Sequence, residues 1–73
     1  MDKGYILANK YRRAIFDELV AGNGNPQRIA KKQRIIPTIV TRIITDFETA
    51  DIITQQHGRY IFTEKGERLK EQM

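Results

Sequence analysis

Residues 37–49 read PTIVTRIITDFET, from Pro37 to Thr49. At about 3.6 residues per turn, their side chains separate into an apolar stripe and an opposite polar face. The stripe consists of Ile36, Val40, Ile43, Ile44 and Phe47, and the polar face of Thr38, Thr41, Arg42, Thr45 and Thr49. Pro37 suits the first turn of a helix, because the amide proton that proline lacks would be unpaired there. The pattern predicts an amphipathic helix over residues 37–49.

Threonine is an unusual choice for the polar face of a helix. Its β-branched side chain lowers helix propensity by about a few tenths of a kcal/mol relative to glutamate, lysine or glutamine. Threonine donates and accepts hydrogen bonds and carries a methyl group suited to thymine, while arginine can fork onto guanine or grip a phosphate. The face therefore predicts a helix that enters a DNA major groove. The alternative is an ordinary solvated or protein-binding face.

The first part of the chain predicts a long scaffold helix from about Tyr5 to Ala21. Its apolar side chains recur at helical spacing, as Leu7, Tyr11, Ile15 and Leu19, with Ala8 and Phe16 widening the stripe. Gly22-Asn23-Gly24 ends this helix, because glycine supplies the positive φ of a helix C-terminus.

A short second helix is predicted from about Pro26 to Gln33. Asn25 is its expected N-cap and Pro26 its first residue, and Ile29 and Ala30 are its expected buried side chains. A tight connection at Arg34-Ile35 then leads to the helix over residues 37–49.

After Ala50 the apolar periodicity changes to about 2. Residues 52–55 and 59–62 are rich in β-branched and aromatic side chains, and they flank Gln56-His57-Gly58, which predicts a β-hairpin. Asp51 is expected to end the preceding helix in the left-handed region, which aspartate tolerates better than most residues. A short polar helix carrying Leu69 is expected to follow Thr63. We also expect Phe47 and Phe62 to be buried.

The predicted fold class is α+β and mainly helical, with residues 1–73 forming a single domain. Three helices, a two-stranded hairpin and a short C-terminal helix follow one another along the chain. Two helices joined by a short turn, the second followed by a hairpin, are typical of the winged helix-turn-helix arrangement.

The chain also resembles small archaeal or bacterial winged-helix transcriptional regulators of the broad MarR and ArsR type. The resemblance rests on PQRIAK (residues 26–31), PTIVTRII continuing to DFE (residues 37–48) and YIFTEKG (residues 60–66), and it covers about residues 11–68. It implies that the helix beginning near Pro37 binds DNA, that the hairpin tip touches the backbone or minor groove, and that a homodimer reads a two-fold site.

One position after the recognition helix, one turn and the chain length differ from that family pattern. Asp51 stands where a glycine is common, and Gln33-Arg34 occupy a turn where a glycine is frequent. Full-size members carry extra helices for dimerisation or ligand sensing, so this chain of 73 residues looks like a bare DNA-reading head.

The charge distribution points to a polyanionic partner. Thirteen Lys and Arg against nine Asp and Glu give a net charge of +4. No acidic residue lies between Glu18 and Asp46, whereas five cations do: Arg28, Lys31, Lys32, Arg34 and Arg42. A positive surface of this kind attracts nucleic acid.

These patterns give three groups of expected contacts with double-stranded DNA. On the helix over residues 37–49 they are Pro37, Thr38, Thr41, Arg42 and Thr45, with Arg42 the best candidate for reading a base. On the second helix and turn they are Gln27, Arg28, Lys31, Lys32 and Arg34, as phosphate contacts. At the hairpin they are Gln56, His57 and Arg59. The alternatives are ordinary surface charges and, for His57, a solvated loop residue.

The sequence argues against several other functions. It has no cysteine, no apolar run of the roughly 20 residues that cross a bilayer, and no recognisable catalytic set or phosphate loop. We therefore expect no enzyme activity, no metal, no cofactor and no membrane partner, in a cytoplasmic protein. By elimination, a homodimer would use Tyr5, Ile6 and the last helix around Leu69.

The leading functional hypothesis is a sequence-specific DNA-binding transcriptional regulator that acts as a repressor. A winged-helix module for protein–protein interaction is the first alternative, because the fold also serves without base contacts. A nonspecific chromatin-like or RNA-binding protein is the second.

Overall fold

A computed structural model describes residues 3–73 of the chain. The fold is mainly helical with one two-stranded antiparallel sheet, which confirms the predicted α+β class at that level. The helices are α1 (Lys3–Leu7), α2 (Lys10–Val20), α3 (Pro26–Gln33), α4 (Pro37–Thr49) and α5 (Glu64–Gln72), and the strands are β1 (Ile53–Gln56) and β2 (Arg59–Phe62).

The predicted helix over residues 5–21 is in fact two helices, α1 and α2. The Asn9 side-chain oxygen accepts hydrogen bonds from the amides of Tyr11 (2.8 Å) and Arg12 (3.2 Å), so Asn9 caps the start of α2. The break changes which side chains of α1 face inward: Ile6 is fully buried, whereas Leu7 is 47% exposed and Ala8 is exposed. The expectation that Leu7 and Ala8 continue the apolar stripe of α2 was wrong.

The predicted bounds of α3 and α4 are confirmed. The Asn25 side chain accepts hydrogen bonds from the amides of Gln27 (2.9 Å) and Arg28 (3.2 Å), and α3 ends at Arg34 in the left-handed region, at φ 55°. Along α4 the side chains of Val40, Ile43, Ile44 and Phe47 are buried as expected. Ile36 was wrongly placed in this stripe, because it precedes the first helical residue and is 63% exposed.

Aromatic rings organise the centre of the core. The ring of Phe16 stands edge-on to that of Phe47, with centroids 6.3 Å apart, and lies 5.2 Å from that of Phe62. Phe47 is fully buried, but Phe62 is only partly buried, which corrects the expectation for Phe62. The Lys70 ammonium lies 5.6 Å from the Phe62 ring, at the rim of the core.

The hairpin has a two-residue turn, and hydrogen bonds join its second strand to the α2–α3 loop and its base to residues 51 and 52. His57 (φ 53°) and Gly58 (φ 81°) form the turn, and the positive φ of both residues is typical of type I′. The amide of Tyr60 donates to the carbonyl of Gly24 (2.9 Å), while the Thr63 hydroxyl donates to the carbonyls of Asp51 and Ile52. The hairpin therefore has a defined position beside α3 and α4.

Candidate nucleic-acid interface

The polar face of α4 lies on the outside of the molecule. All five predicted contacts on this helix are exposed: Pro37, Thr38, Thr41, Arg42 and Thr45. The acids Asp46 and Glu48 are also exposed, but they fall in the second half of the helix. Its first half therefore presents hydroxyl groups and one guanidinium with no carboxylate among them.

The predicted contacts on α3 and its turn are likewise exposed: Gln27, Arg28, Lys31, Lys32 and Arg34. Ile29 and Ala30 are buried and hold the opposite side of α3 against the core. Arg28 and Lys31 are three residues apart, so they share one outer face of this helix. Arg34 is the C-cap residue of α3 and has a left-handed backbone conformation.

An open groove brings the α3 cations together with Arg59 of the hairpin. Its volume is about 810 Å³, and Arg28, Lys31, Lys32 and Arg59 line it together with residues 21–25 of the α2–α3 loop. We call this groove the cationic groove. The sequence suggested each of these cations separately. Their convergence depends on the pairing of Tyr60 with Gly24, which are 36 positions apart in the numbering and share no local pattern.

A smaller groove of about 370 Å³ lies between α3, α4 and the hairpin. Thr41, Gln27 and Gln55 line it, with Asn25, Pro26, Gly58 and Tyr60. We call it the amide groove, because side-chain amides from α3 and β1 meet there beside α4. Gln56 and His57 are exposed at the end of the hairpin and line neither groove.

Glu18 forms a buried polar cluster that the sequence reading missed. This residue is 5% exposed, and its carboxylate accepts hydrogen bonds from the side chains of Gln33 and Asn23 and pairs with the Lys32 ammonium at 3.3 Å. Burial by itself raises the pKa of Glu18, but the bonds from Gln33, Asn23 and Lys32 outweigh it and leave the pKa below its ordinary value. The only sequence clue was a carboxylate three residues after Ile15, on the buried side of α2.

The cluster also distinguishes Lys32 from the other predicted phosphate contacts. Among residues 3–73, the ion pairs are Lys32–Glu18, Arg68–Glu64 and Lys70–Glu67. Thus, within the described chain, Arg28, Lys31, Arg34, Arg42 and Arg59 have no carboxylate within 4.0 Å. None of these five side chains forms an ion pair with a described carboxylate, whereas Glu18 partly offsets the charge of Lys32.

Residues 3–73 were also compared with the requirements of a metal site and of a membrane-spanning helix. Residues 3–73 contain no group of three or more His, Cys, Asp or Glu side chains arranged to hold a metal ion. None of the helices between these residues combines the length and the apolar character required to cross a bilayer. In comparisons with known proteins, no family model, no curated protein and no solved structure matches the chain.

Proposed function

We propose that this chain is a winged helix-turn-helix protein that binds double-stranded DNA and represses transcription by occupying an operator. In this proposal α2, α3 and α4 are the three-helix core, α4 is the recognition helix and the β1–β2 hairpin is the wing. The proposal includes the likeness to small regulators of the broad MarR and ArsR type. The observation that carries it is a set of five exposed cations on α3 and its turn, α4 and the hairpin that form no ion pair among residues 3–73.

The chemistry of α4 suits base reading in a major groove, which is wide enough to admit a helix. Arg42 is exposed on the outer face, and a bidentate arginine–guanine contact is worth about 1–3 kcal/mol of discrimination between bases. Thr38 and Thr45 are exposed on the same face, one turn before and one turn after Arg42. We assign the base contacts to this face.

The cations of α3 suit a positioning role. Arg28, Lys31 and Arg34 would bind phosphates, which sets the orientation of the protein on the duplex without reading its sequence. Arg59 would add a phosphate or minor-groove contact from the wing. Lys32 is a weaker candidate because Glu18 already pairs with it.

A homodimer on a two-fold site remains part of the proposal, but the contact residues expected from the sequence do not support it. Ile6 is fully buried, Leu69 is 5% exposed and Tyr5 is partly buried, so these side chains pack within one chain. A two-fold symmetric operator sequence would show that two copies of the chain bind DNA together.

A selection of bound sequences from random duplexes, followed by a salt titration, tests the proposal. We expect one enriched site, and an affinity that falls with salt at a log–log slope of about 0.9 per phosphate contacted. Equal affinity for unrelated duplexes, or a preference for RNA, would support the nonspecific alternative. No duplex binding even at low salt would contradict DNA binding altogether.

The protein-interaction alternative predicts an apolar patch as its contact surface. Among residues 3–73 the exposed large apolar side chains are Leu7, Val20, Ile36 and Met73, from four different segments of the chain. Neither the cationic groove nor the amide groove is lined by any of them. The two grooves therefore favour a polar, charged partner.

A further inference from the structure

We propose that the cationic groove binds a free oligophosphate. By this we mean a chain of linked phosphate groups, as found in a nucleoside triphosphate or in inorganic polyphosphate. Occupancy of the groove would then compete with the phosphates of a DNA duplex. The binding itself stands on the groove alone, whereas the competition rests on the proposed function.

Positive side chains from two elements converge on the groove. Arg28, Lys31 and Lys32 line one side of the groove and Arg59 of the hairpin contributes from another, while none of its lining residues is acidic. Cations that share one surface raise the local positive potential, which concentrates anions there and is relieved when an anion binds. An oligophosphate carries several negative charges in a row, so one molecule can satisfy several of these cations.

The guanidinium and ammonium groups of the groove match the oxygen atoms of a phosphate chain. The guanidinium groups of Arg28 and Arg59 offer planar forks for pairs of phosphate oxygens, and Lys31 offers a point charge. These three side chains have no carboxylate within 4.0 Å among residues 3–73, so they are available to a ligand. Lys32 pairs with Glu18 at 3.3 Å, and the carboxylate offsets part of its positive potential.

The cationic groove is also large enough for a small ligand. A volume of about 810 Å³ falls within the roughly 300–1,000 Å³ typical of small-molecule sites. A Cβ added at Gly22 would have no neighbour within 4 Å, so the α2–α3 loop leaves open space there. No residue of α4 lines the groove, which makes it a site apart from the face assigned to base reading.

The lining residues also indicate which part of a nucleotide is recognised. They include no aromatic side chain on which a base could stack. The groove therefore recognises the phosphate chain, and we expect ATP, GTP and inorganic tripolyphosphate to bind with affinities within about threefold of one another, because stacking is the contact that tells bases apart from bare phosphate. A strong preference for one nucleotide over tripolyphosphate would contradict this inference.

Titration of the full ¹⁵N-labelled chain with inorganic tripolyphosphate, at constant ionic strength, tests the site directly. We expect saturable amide shifts at Gly22, Gly24, Arg28 and Arg59, and few at Thr38 or Arg42. Shifts spread evenly over the surface, or no saturation, would show diffuse electrostatic attraction and overturn the proposal.

A charge-matched pair of double variants strengthens the test. Arg28→Ala with Arg59→Ala should weaken tripolyphosphate binding by about tenfold or more, since two charge-assisted contacts are lost. Arg13→Ala with Lys65→Ala removes the same charge from exposed positions outside the groove and should change it little. Equal weakening in both variants would overturn the site. All four side chains are exposed, so we expect both variants to fold. The amide spectrum of each variant verifies that it remains folded.

Measuring duplex binding alongside tripolyphosphate binding distinguishes failure of this inference from failure of the proposed function. Arg42→Ala should weaken duplex binding and leave tripolyphosphate binding unchanged. If tripolyphosphate binds in the groove but no duplex binds, the proposed function fails and the site stands. If duplex binds and tripolyphosphate does not, the site fails and the proposed function stands.

Discussion

The amide of Tyr60 donates a hydrogen bond to the carbonyl oxygen of Gly24 across 2.9 Å. This bond joins β2 to the loop that precedes α3, and Arg59, the residue before Tyr60, lines the cationic groove together with the cations of α3. One backbone contact thus couples the position of the hairpin to the cations of α3, which lie 27 to 31 positions before Arg59 in the numbering.

Gly24→Ala is expected to destabilise the fold by about 1–3 kcal/mol, as overpacking against a fixed neighbour does. An added Cβ would overlap the carbonyl oxygen of Tyr60, which is backbone and cannot rotate away. Urea unfolding should show a lower midpoint at an unchanged slope. At Gly22 a Cβ meets no atom within 4 Å, so Gly22→Ala should lose only the roughly 1–2 kcal/mol of its left-handed conformation. A Gly24→Ala variant as stable as the wild type would contradict this account.

Glu18→Gln should lower stability near neutral pH by about 1.5–3 kcal/mol, the range for hydrogen bonds to a charged group. The pKa of Glu18 is lower in the folded than in the unfolded chain, because Gln33, Asn23 and Lys32 outweigh the effect of burial. The unfolded chain therefore takes up the proton first as the pH falls. The stabilisation is complete above the ordinary glutamate pKa of about 4.3 and is lost as the pH falls through the folded-state pKa.

Unfolding curves measured from about pH 7 to about pH 2 check this prediction. The curves of wild type and Glu18→Gln should approach each other at the acidic end. Asp17→Asn removes a neighbouring exposed carboxylate and is the charge-matched control. A Glu18→Gln curve that runs parallel to that of the wild type would exclude the buried cluster as a source of pH dependence.

Arg34→Gly and Asp51→Gly form a pair with the same backbone effect and opposite charge effects. Both residues have left-handed backbones, at φ 55° and 62°, where glycine is free of Cβ strain. Each substitution should raise stability by about 0.5–1 kcal/mol, since the relieved strain exceeds the greater flexibility of the unfolded chain. Thermal unfolding measures this gain.

On duplex DNA the same pair should diverge. Arg34→Gly should weaken binding and reduce the salt slope by about 0.9, the loss of one phosphate contact. Asp51→Gly removes a negative charge and should not reduce the slope. Equal slopes for both variants would argue against a phosphate contact at Arg34.

Arg42→Ala and Lys31→Ala should affect DNA binding in different ways. Arg42→Ala should reduce the preference for the selected site over unrelated duplexes by about 1–3 kcal/mol. Lys31→Ala should weaken binding to all duplexes about equally, because phosphates carry no sequence information. Competition binding with selected and unrelated duplexes measures both effects. If Lys31→Ala lowers the preference more than Arg42→Ala, the assignment of base reading to α4 is wrong.

Elements marked by local chemistry were predictable from the sequence. Asn25 and Pro26 mark the start of α3, Pro37 marks the start of α4, and Gly58 marks the hairpin turn; each acts on its own backbone or the next few amides. The break at Asn9 also had a local marker, since asparagine is a favoured N-cap. It was overlooked because apolar residues continue at helical spacing on both sides of it.

Features that join distant parts of the chain could not be predicted in this way. Ile36 lies four residues before Val40, as a helical stripe requires, but the helix has not begun there and its side chain is left exposed. The contact of Glu18 with Gln33 and the approach of Arg59 to α3 both depend on how whole elements pack. The exposure of the predicted DNA contacts followed from periodicity, whereas the convergence of six of them on two grooves did not.

The Glu18 cluster implies that α2 and α3 cannot diverge independently during evolution. A buried carboxylate that loses its donors is costly, whereas replacing a buried donor and its acceptor together by apolar groups of similar shape is nearly neutral. Homologous sequences should therefore keep a carboxylate at position 18 together with an amide at position 33, or replace both with aliphatic residues. Covariation between these two positions would record a constraint that neither helix reveals by itself.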